Sequence, residues 1–282
     1  RWRRAKVREG RIGAGSINKC LSTLAAVLEV AVEYGHIDRN PAVGKRRRLP
    51  APPPRRTWLD RAAHIAALLD AAGELDDEAR SRKGQRRALI ATLVLGGLRI
   101  GEMLDLKWGD VDLARGTLRV GRAKTDAGER IVYLLPLLRD ELLAYRASLR
   151  DVGPQQRVFG SATGNRQSES NVRNRVLAKA VEKANERLER DDEAPIAVKL
   201  TPHSLRRTFA SLLYALGEAP PYVMRQMGHT SPSLALAVYA REMDRRDGEP
   251  ERLRAVVEGR DWAPTGTSGV ETTVETREKI AA

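Results

Sequence analysis

Five short stretches of this sequence carry side chains able to neutralise an anion, move a proton or attack as a nucleophile. Arg99 lies in Gly96-Gly97-Leu98-Arg99-Ile100-Gly101-Glu102, where a glycine pair lets the backbone turn sharply and present a guanidinium from an apolar segment. Lys124 stands beside the tight turn Thr125-Asp126-Ala127-Gly128. Thr201-Pro202-His203-Ser204-Leu205-Arg206-Arg207 reads as a helix start, with Pro202 suited to the first turn and His203 and Arg206 three apart on one face. Gly228-His229 follows a short helical pattern, and Tyr239 comes ten residues later in Leu236-Ala237-Val238-Tyr239-Ala240. Taken singly, each has a plainer reading, such as an ion-paired surface arginine or a solvated lysine at a hairpin edge. A Cys/His metal centre is not expected, because Cys20 is the only cysteine and the four histidines are scattered. The single cysteine also excludes a disulfide framework.

Elements must position these side chains. Ile17, Leu21, Leu24, Leu28 and Ala31 recur at three- and four-residue steps, which predicts a helix over 16–35 with Ser16 capping its start and Gly35 its end. Asn40-Pro41 then breaks the chain. Residues 45–56 are basic and proline-rich and read as a semi-rigid linker. Asp60 is the expected cap of a helix carrying Ile65, Leu68 and Leu69, and residues 74–86 read as a polar loop. An apolar helix over 87–95 is interrupted at Gly96-Gly97, and 100–106 restarts helically. Residues 117–123 and 130–135 flank the Lys124 turn as a β-hairpin. Helical patterns follow at 136–150, 170–190, 203–216 and 219–227, with a short one at 251–258 and a thin, polar tail after it. The fold class is therefore mainly α with one small antiparallel sheet. No apolar run approaches the ~18 residues of a membrane span, the best being 88–95, and no membrane partner is expected.

Composition and charge narrow the function. Hydrophobic residues at 41% against 31% charged exclude a disordered chain. Fifty Lys and Arg against 37 Asp and Glu give +13. Residues 1–57 hold 14 basic and four acidic side chains, so +10 of that charge sits in the first fifth of the chain. Nucleic acid is the simplest polyanionic partner, and a solvated basic surface is the plain alternative. The first residue is Arg and not Met, so a natural N-terminus is expected to be missing; no signal segment opens the sequence, and a cytoplasmic location, bacterial or mobile-element encoded, is expected.

Together the five stretches resemble the tyrosine recombinases, the integrase family: an arginine in a G-L-R-x-G-E block, a hairpin lysine before threonine, H-x-L-R, G-H, then a tyrosine, in that order over roughly 16–245. The run Gly228 to Ala240 is similar to integrases of phages and integrative elements. The resemblance implies a helical core-binding domain, of which 1–48 is the C-terminal part, a linker over 49–57, a catalytic domain over 58–247 and a C-terminal segment over 248–282. It implies that Tyr239 attacks the scissile phosphate, forming a 3′-phosphotyrosine and freeing a 5′-hydroxyl, which conserves the ester's energy without metal, ATP or any cofactor. Arg99 and Arg206 would fork onto the non-bridging oxygens. Lys124 would protonate the leaving oxygen, His203 would act as general base or hydrogen-bonding group, and His229 would donate to the phosphate. Glu102 resembles the family's supporting acid. Lys45, Arg46, Arg47, Arg48, Arg55 and Arg56 would contact DNA. The implied partners are double-stranded DNA, three further copies of the chain on synapsed duplexes with a free monomer, and accessory DNA-bending or directionality proteins. Arg207 stands where relatives often carry His, and 241–261 would contain an element packing against a neighbouring subunit. A type IB topoisomerase-like nicking enzyme, separable by strand exchange between two duplexes, and a non-catalytic DNA-binding relative, separable by a covalent trap, share much of this pattern.

Overall fold

The computed structural model describes residues 2–44, 48–50, 58–78, 84–121, 129–150, 152–197, 199–228 and 249–259. The chain divides into two compact units, 1–56 and 57–282.

The first unit contains α1 (Trp2–Glu9) and α2 (Ala14–Glu33). α2 starts two residues before Ser16, because the extended Gly13 leaves its carbonyl free to accept from the Ser16 and Ile17 amides. It ends as expected at Gly35, whose φ of +72° lets the Gly35 and His36 amides turn back onto the carbonyls of Val32 and Ala31. Ile17 is buried, while Leu24, Val27 and Val30 are exposed. Two asparagines fasten the following chain to α2. Asn18 bonds both backbone groups of Leu49, and Asn40 donates to the Ala25 carbonyl and the Glu29 carboxylate. Its 20 residues make α2 the one helix among the described residues long and apolar enough to cross a membrane. No contiguous apolar run signals this, because Asn18, Lys19, Ser22 and Thr23 interrupt it.

The second unit is built around α4 (Gln85–Leu95), in which every residue from Ala88 to Leu95 is buried. A helix apolar on all sides needs cover on all sides. α3 (Ala62–Asp77), α6 (Pro136–Ala147) and α8 (Pro202–Ala215) supply it. The cap position of α3 falls on Arg61, one residue after Asp60, and Ala62 opens the helix. The loop expected over 74–86 is in part helix, because Ala71, Ala72 and Leu75 continue the core stripe among acidic neighbours. Asp76, buried near the end of α3, accepts from the Arg86 and Arg87 amides and so caps α4 from a distance. Burial raises the Asp76 pKa, against the opposing pull of those amides.

The sheet is antiparallel in the order β1 (Val111–Asp112), β2 (Thr117–Val120), β3 (Arg130–Tyr133). β1 was not expected; two residues become a strand only because β2 lies beside them. β2 and β3 pair Leu118 with Val132 and Val120 with Arg130, so these residues share the inner face. A turn at Glu169–Asn171 passes through a π-helical stretch, Val172–Leu177, into α7 (Ala178–Arg190), which packs on α3. α9 (Pro220–Met227) follows α8. The last described element is α10 (Glu249–Val257), in the 241–261 stretch expected to pack against a neighbouring subunit, of which 241–248 and 260–261 lie outside the described residues. Leu253, Val256 and Val257 are buried in the chain's own core, against α3, α6 and α8. Three apolar residues at helical spacing suffice for this although the surrounding sequence is polar.

Candidate active site

The site forms where α4, α5 (Ile100–Asp105), α8, β3 and α9 converge. α4 stops at Gly96, and Gly97 takes φ +60°. A Cβ at Gly97 would lie 2.1 Å from Cδ1 of Phe209 on α8, so glycine is required both for the turn and for the close approach. Thr201 and Ser204 bond reciprocally at the start of α8, with Pro202 at its first position. One turn further, Arg206 is only 2% exposed. Its Nη1 donates to the Gly97 carbonyl and its Nη2 to the Met227 carbonyl. The C-terminal carbonyl of α9 and the carbonyl of the turn that follows α4 thus point at one guanidinium, the sign a cation needs. Burial, then the nearby Arg99 charge, push the Arg206 pKa down to about 9, with Glu102 opposing, and it stays a cation at neutral pH.

Arg99, half exposed, precedes α5. Its amide donates to Glu102 Oε2 at 2.8 Å, Nη1 to Glu102 Oε1 at 2.7 Å and Nη2 to the Gly228 carbonyl at 3.0 Å. Glu102 also receives a second guanidinium. Arg130 Nη1 and Nη2 fork onto Oε1 and Oε2 at 3.1 and 2.8 Å, and Arg130 Nε donates to the Gln226 carbonyl at 2.9 Å. Arg206 Nη1 is 3.9 Å from Oε2. Burial pushes the Glu102 carboxyl up, but the bonds from Arg130 and the Arg99 amide, with the Arg130 charge, outweigh it and hold its pKa at about 2.

His203 is exposed at the rim of this cluster. Burial of the ring, then the charges of Arg207, Arg206 and Arg99, lower its pKa below the ordinary 6.5, so the imidazole is neutral at pH 7. Three guanidiniums, Arg99, Arg130 and Arg206, therefore surround one carboxylate beside a neutral imidazole. That excess of positive charge suits an anion. Among the described residues no group of three or more His, Cys, Asp or Glu side chains gathers that could hold a metal ion.

Arg99, Glu102, His203 and Arg206, separated by up to 107 positions in sequence, are brought together. Lys124, His229 and Tyr239 lie outside the described residues, as do Lys45, Arg46, Arg47, Arg55 and Arg56. Arg48 donates to the Ser22 hydroxyl within the first unit. Sequence reasoning missed Arg130 and Gln226. The signal for Arg130 was parity: in Arg130-Ile131-Val132-Tyr133 the arginine shares the inward face with Val132 while Ile131 and Tyr133 are exposed.

A tyrosine recombinase XerC of Pelotomaculum thermopropionicum is 36% identical over 151 residues, covering 51% of this chain and 45% of that protein. The chain thus spans under half the length of that relative. The Tn1549 transposon integrase, solved with a circular intermediate DNA, superposes with a TM-score of 0.67 at 19% identity, over 86% of this chain and 82% of that one. The lambda integrase, solved as a tetramer on a Holliday junction, gives 0.62 at 20% identity, over 87% and 64%. The Phage integrase family model matches residues 61–246, which take in every element of the guanidinium cluster, and the chain belongs to that family.

Proposed function

We propose that this chain is a site-specific DNA recombinase that cuts and rejoins duplex DNA through a 3′-phosphotyrosine. The observation that carries the reading is the cluster of Arg99, Arg130 and Arg206 around the single carboxylate of Glu102, in a chain of the phage integrase family. A phosphodiester brings negative charge to that surplus, and its transition state brings more. Tyr239 Oη attacks phosphorus, the bond from phosphorus to the 5′-oxygen breaks, and Lys124 gives that oxygen its proton. Arg99, half exposed, holds one non-bridging oxygen. Arg206, buried with Nη1 and Nη2 on the Gly97 and Met227 carbonyls, exchanges one of those bonds for the other non-bridging oxygen when the phosphate enters. Removing one such donor typically costs ~10²–10³-fold in rate. Neutral His203 accepts a proton or a hydrogen bond, and His229 adds a donor. Religation reverses these steps with the 5′-hydroxyl of a second duplex, so the ester's energy is conserved. By analogy with the lambda integrase tetramer on a Holliday junction, four copies act on two duplexes. The basic residues Lys45, Arg46, Arg47, Arg48, Arg55 and Arg56 contact DNA phosphates, and residues 1–48 serve as part of a core-binding domain. The relatives include bacterial recombinases, which fits a cytoplasmic location.

The test uses nicked duplexes with a randomised core, from which the leaving strand diffuses away and traps the enzyme on DNA. An adduct stable to denaturing detergent is expected from the wild-type chain. Tyr239→Phe should form none while binding DNA within a few-fold, because affinity rests on phosphate contacts elsewhere. An adduct persisting in Tyr239→Phe would mean another nucleophile.

A further inference from the structure

We propose that Arg130 is a positioning residue for this chemistry: it fixes Glu102, through which Arg99 is aimed, and ties β3 to the end of α9 at Gln226 and Gly228. The proposal rests on the recombinase reading above.

Arg130 opens β3, six positions after Lys124, and its side chain is only 5% exposed. It cannot itself reach a substrate, since its fork is closed on Glu102 and its Nε on the Gln226 carbonyl. What it does hold is the partner of Arg99. Both oxygens of Glu102 are shared between the two arginines, one oxygen taking Arg99 Nη1 and Arg130 Nη1, the other the Arg99 amide and Arg130 Nη2. A bidentate pair has a defined plane, so a forked Arg130 fixes the plane of the carboxylate and with it the direction of the Arg99 head. Lysine carries the same charge without the fork and without Nε.

The other end of the arrangement is the end of α9. Gly228 takes φ +60°, and a Cβ there would lie 3.1 Å from both Cδ and Nη1 of Arg130. Glycine thus lets the turn lie against the guanidinium without strain or displacement of the Arg130 head. Gln226, 1% exposed, closes the join twice: its carbonyl accepts from Arg130 Nε and its Oε1 accepts from the Tyr133 amide at 2.9 Å. Arg99 Nη2 bonds the Gly228 carbonyl. One buried side chain thus joins α5, β3 and the end of α9.

The experiment compares wild type, Arg130→Met, Arg130→Lys, Arg99→Ala and the Arg130→Met/Arg99→Ala pair in the full chain, on a duplex recovered from the wild-type trap. Single-turnover cleavage rate at saturating protein, DNA Kd at fixed salt and the thermal unfolding midpoint are read for each. Arg130→Met should cleave ~10–100-fold more slowly with Kd within about threefold, the scale expected when a reacting group is misaimed by about an ångström. Arg130→Lys should regain little of that rate. The double variant should be no slower than Arg99→Ala alone, because Arg130 acts through Arg99. A purely structural role would lower the fraction of active molecules and the thermal midpoint and leave the single-turnover rate unchanged, whereas a contact with the substrate made independently of Arg99 would multiply with Arg99→Ala. Wild-type rate in folded Arg130→Met, or in Arg130→Lys where the Met variant does not fold, overturns the proposal, as does full multiplication in the double variant. Absence of any wild-type adduct overturns the recombinase reading and this proposal with it, an outcome distinct from either.

Discussion

Arg206 shows how one charged side chain can be buried at tolerable cost. An unpaired guanidinium at 2% exposure would be strongly unfavourable, yet two backbone carbonyls with no helical partner of their own need donors. A lysine could bond both carbonyls only if both came within reach of its single nitrogen, whereas the guanidinium spans them with two nitrogens held at a fixed angle. Glu102 is the complementary case. Holding its carboxyl at about 2 against an ordinary 4.5 contributes on the order of 3 kcal/mol. That stabilisation is present above pH 4.5 and is lost as pH falls toward 2. His203 carries the pH prediction for activity. Its pKa lies below 6.5, and the neutral ring is the form that can accept a proton. Cleavage rate should therefore rise with pH through a value below 6.5 and be flat across neutrality, and His203→Gln should lose that inflection. A single-turnover pH profile checks this; a wild-type inflection at or above 6.5 would count against His203 as the group being titrated.

At the scale of elements, the active-site geometry depends on where α4 stops. The turn at Gly97 delivers a carbonyl to Arg206, clears Phe209 and starts the path to Arg99. Gly97→Ala should therefore destabilise the chain by ~2–4 kcal/mol, combining the positive φ with the overlap on Phe209. Chemical denaturation measures this. Adding Phe209→Leu should recover the steric part and leave the backbone part, whereas no recovery would place the cost wholly in the turn. The glycine pair was legible as a break in a strongly apolar helix. Its reason was not, because Phe209 is 112 positions away and the approach of the two depends on how α8 crosses α4. The cap of α4 is a similar case. Gly84 offers no side chain, and the cap is Asp76 on another helix, which no local pattern could indicate. By contrast, α8 was readable from Pro202 and the helical pattern over 203–216, since its start is local in sequence.

Over the whole molecule, charge is distributed unevenly. Replacing Lys45, Arg46, Arg47, Arg48, Arg55 and Arg56 with Gln should make the plot of log K against log salt shallower, by about 0.9 for each phosphate left without its cation. Fluorescence anisotropy over a series of salt concentrations reads the slope, and unchanged slopes would mean that this stretch is not on the DNA. That uneven charge is a sum over residues, and so is independent of fold. The mainly helical class, the hairpin strands and the order of arginine, lysine, histidine and tyrosine stretches were also settled by the sequence, since periodicity and motif order are properties of the chain itself. The tertiary structure alone decided the rest. It carried α3 through a stretch that read as loop, made a strand of Val111–Asp112, and buried α10 in the chain's own core. It also placed Arg130, an ordinary basic residue in a short strand, against Glu102, 28 positions away. Each of these depends on what lies opposite in space, and burial, pairing and the pKa of a carboxyl are set by neighbours that the linear order does not name.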